Sequence, residues 1–486
     1  METVGTAPYW LTRFCFQRML GFIYFIAFLV ALNQFRALIG EHGLTPVPLY
    51  LKRVRFWDTP SLFWLNSSDR FMAMIALFGV TLSAVAVTGL SERFGIWVSA
   101  GVWFLLWLFY LSFVNVGQIF YGFGWEILLL ETGFLAIFLG SSNTAPPTIV
   151  IWLLRWVLFR VMFGAGLIKL RGDPCWRDLT CLTFHYETQP LPNPLSWYFH
   201  HFPPAIHKGG ILFNHFVELV CPWGYFFPGI VSAAAGGFTV LFQIILILSG
   251  NLSWLNYLTL LLCIPCFDDR ILSHLIPLKP PAITALTSPR QEILIGLAVL
   301  VLLLSIPPIL NMISPRQVMN TSFEPIHLVN TYGAFGSVTR ERMEIIVEGT
   351  SESTLTPSTE WKEYEFKAKP GNVRRRPPIV APYHDRLDWL MWFAAMTDYW
   401  HHPWFLSLAV KLLQGDKETL KLLASNPFPN VPPRFLRAEL YEYHFTDSRQ
   451  KEDAWWRRTH VATYLQPVSL QDLMKTDDTE EGTSII

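Results

Sequence analysis

The 486-residue chain is 52% hydrophobic and only 15% charged, well under the ~25% charged residues usual for soluble domains. Its 37 Lys and Arg balance 37 Asp and Glu, and no basic tail or basic-aromatic surface occurs, which excludes a nucleic-acid partner. Its 20 Trp and 38 Phe suit a bilayer interior edged by aromatic belts.

Stretches approaching the ~20 predominantly apolar residues of a spanning helix fall near 18–37, 71–90, 95–115, 124–140, 148–169, 211–230, 231–249, 252–266 and 292–311, nine in all. The segment 252–266 is short enough to be re-entrant. The first stretch follows Arg13 and Arg18 and runs into Asn33, Gln34 and Arg36 without a small-residue cleavage pattern, so it reads as a retained signal anchor behind a tail at 1–17. The pattern predicts a polytopic α-helical membrane domain over 18–313, including a Trp/Tyr/His/Pro-rich loop at 170–208. A soluble α+β domain is predicted over 314–470, where charges and prolines rise and no run reaches spanning length. Its expected strands are 342–349, 361–368 and 436–445. Its expected helices are 387–396, 403–415 and 417–424, the last capped by Asp416. The polar tail, 471–486, is expected to be disordered.

Two signals disagree on orientation. Arg36, Lys52, Arg53, Arg55 and Arg70 put the first loop in the cytosol by the positive-inside rule. The sequons at Asn66 and Asn320 ask for the lumen.

Ionisable groups inside a bilayer cost at least a few kcal/mol each unless they pair or face water. Glu126 and Glu131 lie in one apolar run, and Arg155, Arg160 and Lys169 in another. Lys169, after Gly164 and Gly166, is expected to pair with Glu126 or Glu131 or to snorkel beside Arg171 and Asp173. The alternative is a desolvated lysine acting as a base. His215 and Glu218 share a helix face, as a buried packing contact or a proton relay. Cys175 and Cys181 bridge if their loop is lumenal. Cys263-Ile-Pro-Cys266 reads as buried thiols or coincidence, with redox or zinc chemistry as the alternative. Cys175, Cys181, His185 and Glu187 match no standard zinc spacing, so no metal is expected. No GxSxG, P-loop, HExxH, GxGxxG or kinase signature occurs.

The blocks YGFGWEILLLETGFLAIFL, GAGLIKLRGDPCWRDLTCLTFHYETQPLPNPLSWY, NHFVELV, SGNLSWLNYLT, CFDDR, SPRQVMNTSF, HLVNTYGAFGSVTRER and PYHDRLDWLMWFAAM strongly resemble the lipase maturation factor family. The resemblance runs from about Trp10 to Leu465 and is nearer the first member of that family than its longer paralogue. It implies a multi-pass endoplasmic-reticulum protein with a cytosolic N-terminus and a lumenal C-terminal domain, assisting folding, dimer assembly and export of secreted lipases. The implied clients are lipoprotein, hepatic and endothelial lipase; quality-control proteins and membrane lipid are further partners, and no cofactor is implied. The family's lumenal half points to Tyr332, Phe335, Trp361, Tyr364, Trp389 and Trp392 as client-binding side chains. Over a short segment, GAGLIKL followed by Trp176 also resembles the core of vitamin K-dependent carboxylases, whose lysine in such a place acts as a base. The alternative function is therefore a membrane enzyme built on Lys169, Glu126, Glu131, His215 and Glu218.

Overall fold

The computed structural model describes residues 8–447 and 453–479. In chain order the bundle contains α1 (Trp10–Leu38), α2 (Asp69–Thr88), α3 (Ile96–Val116), α4 (Gly124–Ala136), α5 (Thr148–Arg171), α6 (Pro204–His215), α7 (Ile230–Ser249), α8 (Leu255–Cys263) and α9 (Ser288–Ile313). Among the described residues six helices, α1, α2, α3, α5, α7 and α9, are by themselves long and apolar enough to cross a membrane, and the other three of the nine expected stretches hold shorter helices. The helix in 124–140 has 13 residues, the one entering 211–230 has 12, and the one in 252–266 has 9. After α6 the chain makes a π-helical turn, Phe216–Val220, and one α-turn, Cys221–Gly224. Pro265, which has no N–H to donate, lies in the 3-10 turn that ends α8.

Interrupted helices persist at membrane depth only where protein groups satisfy the freed backbone. Arg155 of α5 does this, donating to the carbonyls of Pro265 at 2.9 Å and Tyr225 at 3.0 Å. Gln17 of α1 donates to the Gly140 carbonyl, beyond α4, at 3.1 Å. The short helices therefore still carry the chain from one end of the bundle to the other.

The two ends are distinguishable. At the α1 N-terminal end the Asp269 carboxylate accepts the Trp10 and Leu11 N–H groups at 2.8 Å, and Arg18 pairs with Glu92. The predicted 1–17 tail is shortened, because α1 starts at Trp10; residues 1–7 lie outside the described residues. At the α1 C-terminal end Gln34 Nε2 donates to the His384 carbonyl at 2.7 Å. The C-terminal unit thus sits there. The first loop lies at the same end, since Asn115 Nδ2 reaches the carbonyls of both Pro60 (2.8 Å) and Pro325 (2.9 Å). So does the 170–208 loop, through Trp197 Nε1 on the Thr446 carbonyl at 3.1 Å. Asn66 and Asn320, both exposed, share this end with Cys175 and Cys181, which are disulfide-bonded.

The C-terminal unit contains strands β1 (Arg342–Thr350), β2 (Lys362–Glu363), β3 (Glu365–Phe366), β4 (Leu423–Ser425), β5 (Phe435–Phe445) and β6 (Trp456–Ser469). They form an antiparallel sheet in the order β2-β1-β5-β6 and a separate β3-β4 pair. The expected strand at 361–368 is split between the two sheets, and β4 takes the end of the expected 417–424 helix, which stops at Leu420. Alternation along β1 sends Ile345 and Val347 into the core shared with the bundle. Ile346 faces the other way, against Tyr443, Phe445 and Trp456. Helices α10 (Arg386–Ala394) and α11 (Pro403–Gln414) follow the prediction, α11 ending at Gly415 with φ +66°. A helix α12, Leu470–Thr479, occupies the start of the expected disordered tail. Ser469 and Asp472 cap it, Ser469 N–H donating to Asp472 Oδ2 at 2.9 Å. Residues 480–486 lie outside the described residues.

Candidate functional site

The intramembrane charges expected as one cluster are separate assemblies. Glu131 of α4 pairs with Arg160 of α5, both buried. The carboxylate also accepts Tyr332 Oη–H at 2.7 Å and the Asn330 N–H at 3.1 Å, while Arg160 donates to the Asn330 carbonyl at 2.6 Å. Glu126, at the other end of α4, pairs with Arg386 of α10 at 2.7 Å and accepts the Tyr110 hydroxyl. Arg386 stacks over Tyr121 at 3.6 Å and donates to the Phe120 carbonyl at 2.6 Å. Both carboxylates of α4 thus find partners in the C-terminal unit, and these networks join it to the bundle. Arg155 has no carboxylate partner in this arrangement; it serves the helix ends described above.

Lys169 does not pair with Glu126 or Glu131, as expected, but with Glu218, and it donates to Asn214 Oδ1 at 3.3 Å. Trp176 covers the ammonium at 5.1 Å. The π-helical turn carries Glu218 toward α5. Gly166 makes room, since a Cβ there meets Leu219 Cδ2 at 2.6 Å and Glu218 Cβ at 3.0 Å. The expected His215–Glu218 contact does not form; His215 Nε2 donates to the Trp176 carbonyl at 3.0 Å.

Lys169 and Glu218 line a cavity of about 540 Å³ between α4, α5, the α6 turn, α7, α8 and the C-terminal segments 332–339 and 389–396. Glu126, Glu131, Arg155, Arg160 and His215 are not among its lining residues. The enzyme constellation is therefore dispersed, with only its Lys169–Glu218 pair facing open space.

The 170–208 loop closes one wall. Asp173 accepts a bidentate contact from Arg340, at 2.7 and 2.9 Å, which holds its carboxyl at about 2, below the usual range. Trp176 Nε1 donates to the Phe335 carbonyl at 2.8 Å, and Trp392 Nε1 to the Thr188 carbonyl at 3.0 Å. Arg342, buried beside Glu344, donates to the carbonyls of Glu187 and Pro190, each at 2.9 Å. Burial, with the Lys169 charge adding to it, pushes the His185 imidazole down to about 4, so it is neutral. Of Cys175, Cys181, His185 and Glu187, both cysteines are in the disulfide, and Glu187 accepts the Phe445 N–H at 2.7 Å. Cys263 and Cys266 are buried free thiols, without the solvent access that redox exchange needs.

Of the six aromatic residues expected to meet a client, Tyr332, Tyr364 and Trp389 are buried in the joint or the sheet core. Phe335, Trp361 and Trp392 are half-buried. Phe393, Met396 and Trp400 are exposed apolar side chains of this unit, the last 66% exposed, as are Ile379 and Val431. Sequence reasoning missed Arg386, Asn330, Arg342 and Lys369, because a buried arginine in a polar segment reads as surface. The unpaired Glu126 was the signal that such a partner had to exist. It also missed His384, enclosed by the rings of Phe123, Trp125, Trp254 and Trp389 at 4.9 to 6.0 Å.

Residues 11–274 match the family described as lipase maturation factor transmembrane domain, and residues 328–466 the one described as lipase maturation factor C-terminal domain. The chain is 46% identical to lipase maturation factor 1 of Mus musculus over 98% of this chain and 90% of that protein. It is 44% identical to lipase maturation factor 1 of Homo sapiens over 96% and 89%, and 31% identical to lipase maturation factor 2 of Xenopus laevis over 95% and 83%. No solved structure matches.

Proposed function

The chain belongs to the lipase maturation factor family, and from that premise we propose that it acts in the endoplasmic-reticulum membrane on newly made secreted lipases. It assists folding, dimer assembly and export of clients of the lipoprotein, hepatic and endothelial lipase type, without catalysing a reaction on them and without a cofactor. Quality-control proteins and the surrounding lipid complete its partners. The C-terminal unit faces the lumen and the N-terminus the cytosol. The disulfide supports that side, since such bonds persist in oxidising compartments. So do the sequons at the same end and the Arg13, Arg18, Arg93 and Arg270 cations at the other.

One observation carries the reading: the buried ion networks of Glu126 and Glu131 hold the C-terminal unit on the bundle, with Phe393, Met396 and Trp400 exposed on it. A fixed apolar edge can cover the apolar surface of a partly folded client and keep it from aggregating. Trp392, whose ring meets that of Phe393 at 4.9 Å, extends that edge. The enzyme reading draws only on Lys169 and Glu218 facing the cavity.

The test is secretion of active lipase from cells lacking the endogenous factor, at matched protein level. The parent chain and Lys169→Met/Glu218→Leu restore secretion, while Phe393→Ala/Trp400→Ala does not. Failure of the Lys169/Glu218 variant alone overturns the non-catalytic reading.

A further inference from the structure

We infer that the cavity between the bundle and the C-terminal unit binds one uncharged single-chain lipid whose headgroup offers hydroxyl and ester oxygens, of the monoacylglycerol class. At about 540 Å³ the cavity falls within the roughly 300–1,000 Å³ of small-molecule sites. Its walls are largely apolar: Phe123, Val161, Phe242, Leu246, Trp389 and Trp392 all face it. Such walls suit an acyl chain and give a strongly polar solute nothing to bind.

Polar groups left without protein partners set the headgroup. Gln243 of α7 and Asn256 of α8 are buried, line the cavity, and sit in helices surrounded by apolar side chains. Gln243 Nε2 finds only the Met162 thioether at 3.6 Å, and among the described residues the Asn256 amide makes no side-chain hydrogen bond. The His185 ring, also buried and lining the cavity, has ring contacts with Tyr186 and Phe335 but, among the described residues, no hydrogen bond of its own. A buried amide left unpaired costs about 1–3 kcal/mol, so a ligand that pairs these amides gains that much. Two amides and a neutral imidazole each donate and accept, which matches hydroxyls and an ester carbonyl.

Charge excludes the ionised alternatives. The cavity's charged residues, Lys169 and Glu218, neutralise each other. A carboxylate or phosphate entering it leaves water without a countercharge, which is unfavourable in so apolar a site. Phe393 and Met396 are lining residues that are also exposed, so the cavity opens beside the edge proposed to meet clients. The inference does not depend on that proposal.

The full chain in lipid-free detergent is titrated with monooleoylglycerol or with oleate at alkaline pH, and thermal unfolding is followed. Monooleoylglycerol raises Tm saturably by several degrees, and oleate does not. Gln243→Leu/Asn256→Leu weakens the apparent affinity about tenfold or more without lowering the lipid-free Tm. Ala165→Phe, which fills the cavity from the α5 wall, abolishes the shift. Absence of a shift in the parent chain, an undiminished shift in either variant, or an equal shift with oleate overturns the assignment.

Discussion

At the residue scale, what decides this protein's stability is whether each buried charge is completed. Arg386 is the sharpest case, because it joins Glu126, the Phe120 carbonyl and the Tyr121 ring with no water available to replace them. Arg386→Leu leaves Glu126 buried without its ion-pair partner. A loss of about 3–5 kcal/mol is expected, read as a lower unfolding temperature in detergent, and partial recovery is expected when Glu126→Gln is added. The pH dependence of His185 has a definite sign. Its imidazole drops from the ordinary 6.5 to about 4 on folding, so between those values the unfolded chain binds the extra proton. Its contribution is fully present above pH 6.5 and is lost as pH falls toward 4. Stability therefore falls on acidification through that window, and His185→Asn flattens part of the slope in thermal unfolding measured pH by pH. The residues of this network were only half legible. Glu126, Glu131, Arg155, Arg160 and Lys169 stand out because charge is rare in apolar runs. Their partners Arg386, Asn330 and Asn214 do not, because nothing local distinguishes a buried polar residue from a solvated one.

At the scale of elements, α5 is the organising helix. Its face carries Arg155 to the broken helix ends, Arg160 to Glu131 and Lys169 to Glu218. Its glycines let other segments approach. A Cβ at Gly164 lies 2.5 Å from the Tyr332 carbonyl oxygen, whereas one at Gly166 meets the mobile end of Leu219. Gly164→Ala is therefore the more destabilising, since backbone must move, and it loosens the Tyr332–Glu131 joint; Gly166→Ala is milder. Thermal unfolding of the two variants side by side checks the order, and an equal effect is the result that contradicts it. The long apolar helices and strands β1 and β5 were legible from period and length. Strand β6 was not, because most of it is exposed at a sheet edge and its Arg, Thr and His residues hide the alternation. The short helices α4, α6 and α8 read as full-length ones because composition does not reveal where a helix stops inside a protein-lined interior.

At the scale of the whole molecule, the joint between bundle and C-terminal unit gathers the loops at one end. The first loop, the 170–208 loop and the C-terminal unit occupy one end, so the cationic first loop lies with the disulfide and both sequons. In the proposed orientation this shared end is lumenal. Glycosylation is then expected at Asn66, which is exposed. Asn66→Gln removes an endoglycosidase-sensitive mobility shift, and an unshifted parent band in glycosylating cells contradicts the orientation. The joint also explains why the expected client-binding aromatics split. Tyr332 and Trp389 are consumed in holding the two parts together, which leaves Phe393, Met396 and Trp400 at the surface.

By itself the sequence determined the membrane class, the long helices, the main strands and the family resemblance, because these follow from local composition, period and ordered blocks of residues. Only the tertiary structure decided which charge meets which, where the cavity lies and which aromatics face outward. Those depend on contacts such as Glu126 with Arg386, 260 positions apart in the chain, and no local pattern encodes a partner at that separation.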